Sequence, residues 1–269
     1  MTETSILYKH TNLSLNHPIV SRTCLQIIEA LNKTSFSEDQ KKAITSFCVV
    51  DGLLYQETLW SIAERISEEY HRELNSFLAG TNKTFPTVTG LKRDAELFLY
   101  TSKNLMRDLV TEVLTTAYPE INGLDGSAFF NLKTGKSPIE VWAEKKHGPN
   151  HLVTQAFRTS SNYFTELVAK RNASEHPYGK AGKLFINQPF IQEENGVKTI
   201  LDPTWHRTGQ EPSSIIYDLY EYCHHFLRLL EEVTMFIVIQ PHLLPGYTIY
   251  RIPGRQMAKK GGWKFVVTI

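Results

Sequence analysis

Cysteine is scarce in this sequence, and its three occurrences form no recognisable site. Cys24, Cys48 and Cys223 are odd in number, far apart, and each lies in an apolar helical pattern. This distribution argues against a disulfide framework and predicts buried, reduced thiols in a reducing cytosol. Neither a Cys-x-x-Cys pair nor a His-Glu-x-x-His, phosphate-loop or dinucleotide-binding motif occurs. We therefore expect no metal site and no cofactor.

The chain also lacks an excess of charge of either sign and any long apolar run. It has 29 Lys and Arg residues against 28 Asp and Glu residues, a net charge of +1. No overall field attracts nucleic acid, so any RNA must be bound by a local basic cleft. The run from Val233 to Gln240 is too short to span a membrane, and Met1–Tyr8 lacks the layout of a signal peptide. We expect a cytoplasmic protein without membrane association.

Apolar residues recur at helical spacing over most of the chain. Pro18 suits the first turn of one helix, and Ser37 and Gln40 have the form of a capping box. Ser137 and Pro138 suit the cap and first position of a short helix, and Asn150 is expected to cap a later one. The predicted helices cover residues 18 to 31, 38 to 80, 91 to 117, 138 to 146, 150 to 171 and 212 to 234.

Short β segments are expected between and after these helices. Leu184–Ile186 and Val197–Leu201 flank an Asn-Gly turn and predict a hairpin, and two strands are expected in the tail, over Tyr247–Arg251 and Trp263–Ile269. The predicted fold is mainly α, an antiparallel helical bundle with small antiparallel β hairpin additions. We divide it into N-terminal helices packed on the bundle (1–90), the bundle with the inserted hairpin (91–240) and a β tail (241–269).

One stretch combines a permanent cation with a titratable ring. From Arg171 to Tyr178 the sequence reads Arg-Asn-Ala-Ser-Glu-His-Pro-Tyr, at the end of an amphipathic pattern that Pro177 stops. Arginine can hold an anionic phosphate while histidine moves a proton near neutral pH. The pair Arg171 and His176 therefore suits chemistry on a phosphodiester, with the Asn172 amide positioning the substrate or the imidazole.

This stretch resembles the Arg-x4-His motif of HEPN domains (higher eukaryotes and prokaryotes nucleotide-binding), including the polar residue after the arginine. The resemblance covers about Leu91 to Phe236 and implies a helical bundle with metal-independent endoribonuclease activity, as in toxins and antiphage growth-arrest effectors. It implies that Arg171, Asn172 and His176 are catalytic and that RNA is the substrate. The N-terminal helices, the hairpin and the C-terminal strands depart from the basic family pattern.

Tyr178 extends the resemblance. Arg171-x4-His176-x-Tyr178 matches the form found in HEPN toxins paired with nucleotidyltransferase antitoxins, where the partner adenylylates the tyrosine. The resemblance thus implies Tyr178 as a possible modification site and an antitoxin or nucleotidyltransferase as a possible partner. A tyrosine before Gly179 is equally an ordinary turn residue.

The motif also bears on assembly. Five residues apart on one helix, two side chains diverge by about 140°, so one copy of Arg171 and His176 makes a poor pocket. HEPN proteins solve this by pairing two motifs across a twofold axis, and we expect a homodimer whose interface lies beside the motif. The edge formed by Tyr217, Tyr220 and Tyr222 on the last helix is expected to contribute to that interface.

Other interpretations remain open at this level. Arg65 and His71 have a similar spacing but lie inside a charged helical run. The motif itself would be structural if His176 bonded the last helical carbonyls and Arg171 paired with an acid such as Glu175. The protein would then be a non-catalytic HEPN-like module that binds nucleotide or another protein. Basic residues of the tail, from Arg251 to Lys264, favour a solvated loop over an RNA-binding ribbon.

Overall fold

A computed structural model describes residues 18–124, 127–130, 135–194, 196–252 and 265–268. The chain is mainly helical with small antiparallel sheets, as predicted. The α-helices are α1 (Pro18–Leu31), α2 (Glu38–Ser46), α3 (Gly52–Leu78), α4 (Leu91–Asp108), α5 (Thr115–Ala117), α6 (Pro138–His147), α7 (Leu152–Glu175) and α8 (Ile215–Glu232). Wide helical turns cover Phe47–Asp51, Leu109–Leu114 and Val233–Ile239, and short 3₁₀ segments cover Pro119–Ile121 and Gln240–His242.

The strands form three small antiparallel sheets. Their bounds are β1 (Leu184–Asn187), β2 (Phe190–Glu194), β3 (Val197–Leu201), β4 (Thr204–Arg207), β5 (Ser213–Ser214), β6 (Thr248–Arg251) and β7 (Phe265–Thr268). The first sheet has the order β1-β4-β5, and β2 pairs with β3 and β6 with β7. The two strands predicted for the tail are confirmed, while the loop between them, the tail residues Arg255 to Lys264 and the N-terminal Met1–Tyr8 lie outside the described residues.

The predicted hairpin was assigned one wrong strand. Val197–Leu201 pairs with Phe190–Glu194, and Leu184–Asn187 pairs instead with Thr204–Arg207. A tight turn requires the strand that directly precedes it, and here that strand is exposed on both faces and shows no alternation of apolar and polar residues. The apolar run at Leu184 is drawn to β4 because β4 leads into the core through the fully buried Trp205.

The chain divides into two compact units. One comprises the described parts of Met1–Glu57, Thr111–Asn122 and Leu227–Ile269, and the other comprises Thr58–Val110 with the described parts of Gly123–Phe226. In the first unit α1 packs on α2, on β7 and on the wide turn that follows α8. Its buried side chains include Ile27, Leu31, Ile44, Phe47, Val238 and Phe265.

The second unit is built around α7. This helix packs against α4, α6, β1 and β4, and its interior is aromatic. Phe164 stacks on Phe226 with ring centroids 4.5 Å apart, and Phe129 lies 6.1 Å from Phe157. The burial of these large rings makes α7 the rigid centre of the unit that carries the Arg–His motif.

Several helix ends follow the sequence-based predictions. Ser37 forms the predicted capping box with Gln40, and Ser137 caps α6 ahead of Pro138. The cap of α7 is His151 and not Asn150, because the His151 Nδ1 accepts from the Val153 N–H at 3.3 Å. An imidazole nitrogen thus replaces the expected amide oxygen at this helix start.

The three cysteines are free and buried, as the sequence predicts. Burial raises the pKa of Cys24 to about 11 and that of Cys48 to about 12, and burial also raises the pKa of Cys223. Thiols held protonated in this way are poor nucleophiles and poor metal ligands. They therefore belong to the packing of the core.

A buried polar cluster joins β4 to α8 in the second unit. The Asp218 carboxylate accepts hydrogen bonds from the Trp205 Nε1 and the Ser213 hydroxyl, each at 2.6 Å. It also lies 3.8 Å from the buried Lys170 ammonium, which is 4.9 Å from the Trp205 ring centroid. The arrangement satisfies polar groups that would be costly to bury alone, and it fixes the sheet on the helices.

We predict that Asp218→Ala lowers the free energy of unfolding by about 2 kcal/mol, because the buried Trp205 N–H loses its acceptor. Urea denaturation followed by circular dichroism measures the change. Glu193→Ala is the matched control, since Glu193 pairs with Lys198 on the exposed hairpin and its loss should leave the midpoint unchanged. Equal midpoints for the two variants would contradict a stabilising role for the cluster.

Candidate functional site

The Arg–His motif lies where α7 ends. Arg171 is in the last turn, Glu175 is the last helical residue, and His176 is the C-cap with φ −128° and ψ 68°. The His176 backbone N–H still donates to the Asn172 carbonyl at 2.8 Å, while Pro177 prevents the helix from continuing. His176 has therefore left the helix, and the divergence expected for two residues on one helix does not describe this site.

One carboxylate lies next to both side chains of the motif. The Arg171 Nη2 forms an ion pair with Glu175 Oε1, and the His176 Nε2 is 3.8 Å from Glu175 Oε2. The guanidinium is largely buried, at 15% exposure, whereas the imidazole is 72% exposed. The site thus consists of a fixed cation, a shared carboxylate and an imidazole open to solvent.

Two further groups fix the Arg171 side chain. Its Nη1 donates to the Asn172 side-chain oxygen at 3.0 Å, and its Cζ lies 5.8 Å from the Tyr100 ring centroid. Burial and the neighbouring Glu175 carboxylate raise the pKa of Tyr100, so its hydroxyl stays protonated near neutral pH. The buried Arg171 Nε has no hydrogen-bond partner among the described residues. Arg171 therefore keeps donor capacity beyond its two present contacts.

A cleft opens beside Arg171. It has a volume of about 120 Å³, and its floor is apolar, with Leu99, Met106, Phe130, Leu167 and Val168. Its polar lining consists of Lys103, Ser127, Arg171 and Asn172. Two cations above an apolar floor suit a small anion that carries an apolar part. His176 does not line this cleft.

The remaining candidates from the sequence are dispersed. Tyr178 is fully exposed, so its hydroxyl is open to a modifying enzyme. Tyr217 is also exposed, but Tyr222 is buried and Tyr220 packs on Trp60, so the expected tyrosine edge is not a continuous surface. Tyr222 was wrongly placed there because the 3.6-residue period of the helix turns it toward the core, where it contacts Tyr163.

The competing Arg65 and His71 pair is structural. Arg65 contacts Asp94 and Glu69 and donates to the Thr89 carbonyl. The His71 Nδ1 lies 2.7 Å from the carbonyl of Ser67 on the same helix. Both side chains are therefore engaged by their own surroundings, and the stretch at Arg171 remains the candidate site.

Tyr100, Lys103 and Glu175 belong to the site and were not predicted as site residues. Glu175 was named above only as the acid that would pair with Arg171 if the motif were structural. That ion pair is present, at the i,i+4 spacing of a helical pair, whereas the His176 side chain bonds none of the last carbonyls of α7. Tyr100 and Lys103 come from α4 and reach the motif only because α4 packs on α7. Tyr100 and Lys103 join the site through tertiary packing, which local sequence patterns do not indicate.

Comparisons with protein-family models, with curated proteins and with solved structures find no match to this chain. Within the described residues, no group of three or more His, Cys, Asp or Glu side chains is arranged to hold a metal ion. No helix in the described part is both long and apolar enough to cross a membrane.

The two motif residues should differ in their effect on stability. Arg171→Ala removes a buried ion pair and a contact with Tyr100, so we predict a loss of about 1 kcal/mol in the free energy of unfolding. His176→Ala removes an exposed ring and should leave stability unchanged. Thermal and urea unfolding of both variants measure this difference. A large loss in His176→Ala would show that the imidazole has a structural role and would undermine its assignment as a reactive group.

Proposed function

We propose that this protein is a metal-independent endoribonuclease of the HEPN type, with Arg171, Asn172 and His176 as its catalytic residues. The observation that supports the proposal most is the His176 imidazole, which is 72% exposed and bonds none of the last carbonyls of α7, at 3.8 Å from the carboxylate that pairs with the largely buried Arg171. A toxin or antiphage growth-arrest effector is the kind of role that such an activity serves, and it is part of the same proposal.

The chemistry follows from the properties of the side chains. The ribose 2′-oxygen attacks the adjacent phosphorus, the bond to the 5′-oxygen breaks, and a 2′,3′-cyclic phosphate and a 5′-hydroxyl result. His176 accepts the 2′-hydroxyl proton or donates a proton to the leaving 5′-oxygen. Arg171 offsets the charge that develops on the phosphoryl oxygens, and Asn172 fixes the guanidinium through its side-chain oxygen.

Glu175 has a defined part in this scheme. Its carboxylate holds Arg171 in place and lies 3.8 Å from the His176 Nε2. It also competes with the phosphate for the same guanidinium, so substrate binding exchanges one anionic partner of Arg171 for another. Arginine binds carboxylate and phosphate through the same paired N–H donors, so the two anions can replace each other.

One copy of the site offers one imidazole, whereas the reaction needs a base and an acid. A twofold homodimer with its interface beside Arg171, Asn172 and His176 would bring two imidazoles into one groove. The exposure of His176 and of Tyr178 is compatible with such a groove and with access by an antitoxin or nucleotidyltransferase partner.

Purified protein incubated with total RNA in EDTA should cleave the RNA, because the proposed reaction uses side chains in place of a metal ion. His176→Ala and Arg171→Ala should each lower the rate at least 100-fold, the usual range for loss of a proton-transfer or charge-stabilising group. Gel electrophoresis and assay of the terminal phosphates report the products. Lys198→Ala, a cation of the exposed hairpin, is the control that should cleave normally.

RNA that stays intact with the wild-type protein would contradict the enzyme and favour a second candidate function. The cleft with Lys103 and Arg171 above an apolar floor favours a non-catalytic HEPN-like module that binds a nucleotide by its phosphate. In that case Lys103→Ala and Arg171→Ala would weaken nucleotide binding, measured by equilibrium dialysis, whereas His176→Ala would not, since His176 does not line the cleft.

The composite groove of the proposed homodimer can be tested by mixing two inactive variants. Arg171→Ala and His176→Ala proteins, each inactive alone, should regain part of the wild-type cleavage rate when mixed, because a heterodimer contains one intact arginine and one intact histidine in the composite groove. Light scattering gives the mass of each preparation. A monomeric mass, or a mixture that stays as inactive as its components, would exclude a composite site.

A further inference from the structure

A second groove lies between α4 and the end of α7, nearer the start of α4 than the Arg171 cleft is. It has a volume of about 340 Å³ and runs between the start of α4, the end of α7 and β1. Ser174 and Pro177, the residues on either side of Glu175 and His176, are part of its wall. A bound strand of RNA lying in this groove would therefore approach the exposed His176 from one side.

The groove has an aromatic surface. Phe185 on β1 is 36% exposed and stacks on His206 of β4, with ring centroids 5.0 Å apart and an angle of 14° between the rings. The two residues are direct partners in the β1–β4 pairing. A cross-strand pair of this kind holds the Phe185 ring in one orientation, so its contribution to binding costs little conformational entropy.

The charges of the groove are mainly positive. Lys92 and Lys183 line it, both are exposed, and neither forms an ion pair with any described residue. The Lys183 Nζ lies 5.3 Å from the Phe185 ring centroid. The acidic residue of the wall, Glu96, already accepts a hydrogen bond from the Ser174 hydroxyl at 3.0 Å. The groove thus offers two ammonium groups without an ion-pair partner among the described residues, one of which lies over the ordered aromatic ring.

The floor under the aromatic ring is held firmly in place. Arg207 on β4 forms paired hydrogen bonds of 2.9 and 2.7 Å with the Glu166 carboxylate of α7 and donates to the Ala181 carbonyl at 3.0 Å. The Lys183 backbone N–H donates to the Thr208 hydroxyl at 3.0 Å. The start of the segment that carries Phe185 is therefore anchored to β4 and, through Arg207, to α7.

From this geometry we infer that the groove is a subsite for one nucleotide of single-stranded RNA, next to the phosphate that is cleaved. The base stacks on Phe185, and Lys92 and Lys183 bind the flanking phosphates. Stacking on an aromatic ring is available only to an unpaired base and does not distinguish between bases, so the subsite selects single strands without a sequence requirement. Its volume is at the lower end for ligand sites, which fits one nucleotide. The inference rests on the proposed function.

Binding of a fluorescein-labelled, unstructured 12-nucleotide RNA to the full-length His176→Ala protein tests this subsite without cleavage. In that background Phe185→Leu, which keeps an apolar side chain, should raise the Kd measured by anisotropy roughly tenfold. Lys183→Ala should also weaken binding and reduce the slope of log K against log salt by about 0.7.

Two residues of the hairpin provide matched controls. Phe190 is 39% exposed, nearly the same as Phe185, and lies outside the groove, so Phe190→Leu should leave the Kd unchanged. Lys198→Ala is the corresponding control for Lys183→Ala. Circular dichroism reports whether each variant is folded. If Phe185→Leu is unfolded, the Kd of Lys183→Ala decides whether the subsite is retained.

The possible outcomes separate the subsite from the proposed function. Any of three results would overturn the subsite. These are equal Kd values for Phe185→Leu and Phe190→Leu, equally tight binding of duplex RNA, and no binding of the oligonucleotide by any variant. If Phe185→Leu and Lys183→Ala weaken binding while wild-type protein leaves RNA intact, the subsite stands and the ribonuclease fails. If the wild-type protein and Phe185→Leu cleave RNA at the same rate and bind it with the same affinity, the ribonuclease proposal stands and the subsite fails.

Discussion

The termination of α7 at Pro177 is the constraint on which the site depends. A proline disfavours helical dihedral angles in the residue before it, and His176 accordingly adopts φ −128° and ψ 68°. Because the chain leaves the helix at this residue, the imidazole approaches the Glu175 carboxylate on the same turn as Arg171. With one more helical residue, the two side chains would point in directions about 140° apart.

The polar contacts around α7 explain why such a turn keeps its shape. Glu166 binds Arg207 of β4, Lys170 lies near Asp218 of α8, and Arg171 pairs with Glu175. These residues lie along one helix and engage successively a strand, another helix and the helix end. The β1-β4-β5 sheet is thus bound to the same helix that carries the motif, so the groove at Phe185 and the carboxylate at Glu175 keep a fixed relation to it.

The sequence predicted the helical elements well and the site only in part. Helical periods and caps at Ser37 and Ser137 are local, so they could be recognised without tertiary information. The pairing of β2 with β3 was missed because both strands are exposed and carry no apolar alternation. Tyr100 and Lys103 could not be predicted, since they join the site by helix packing, and the double contact of Glu175 depends on the residue at which the helix ends.

The charge of the whole chain explains why the binding surface has to be built locally. With a net charge of +1, the protein has no long-range attraction for a polyanion. Lys103 and Arg171 line the cleft beside the last turn of α7, and Lys92 and Lys183 line the groove that lies nearer the start of α4. Glu96 and Glu175 offset part of this charge but are each engaged by a neighbouring side chain. Under the proposed function, affinity for RNA therefore depends on contacts within the Arg171 cleft and the Phe185 groove. Selectivity depends on the fixed positions of Phe185 and Arg171 more than on electrostatic steering.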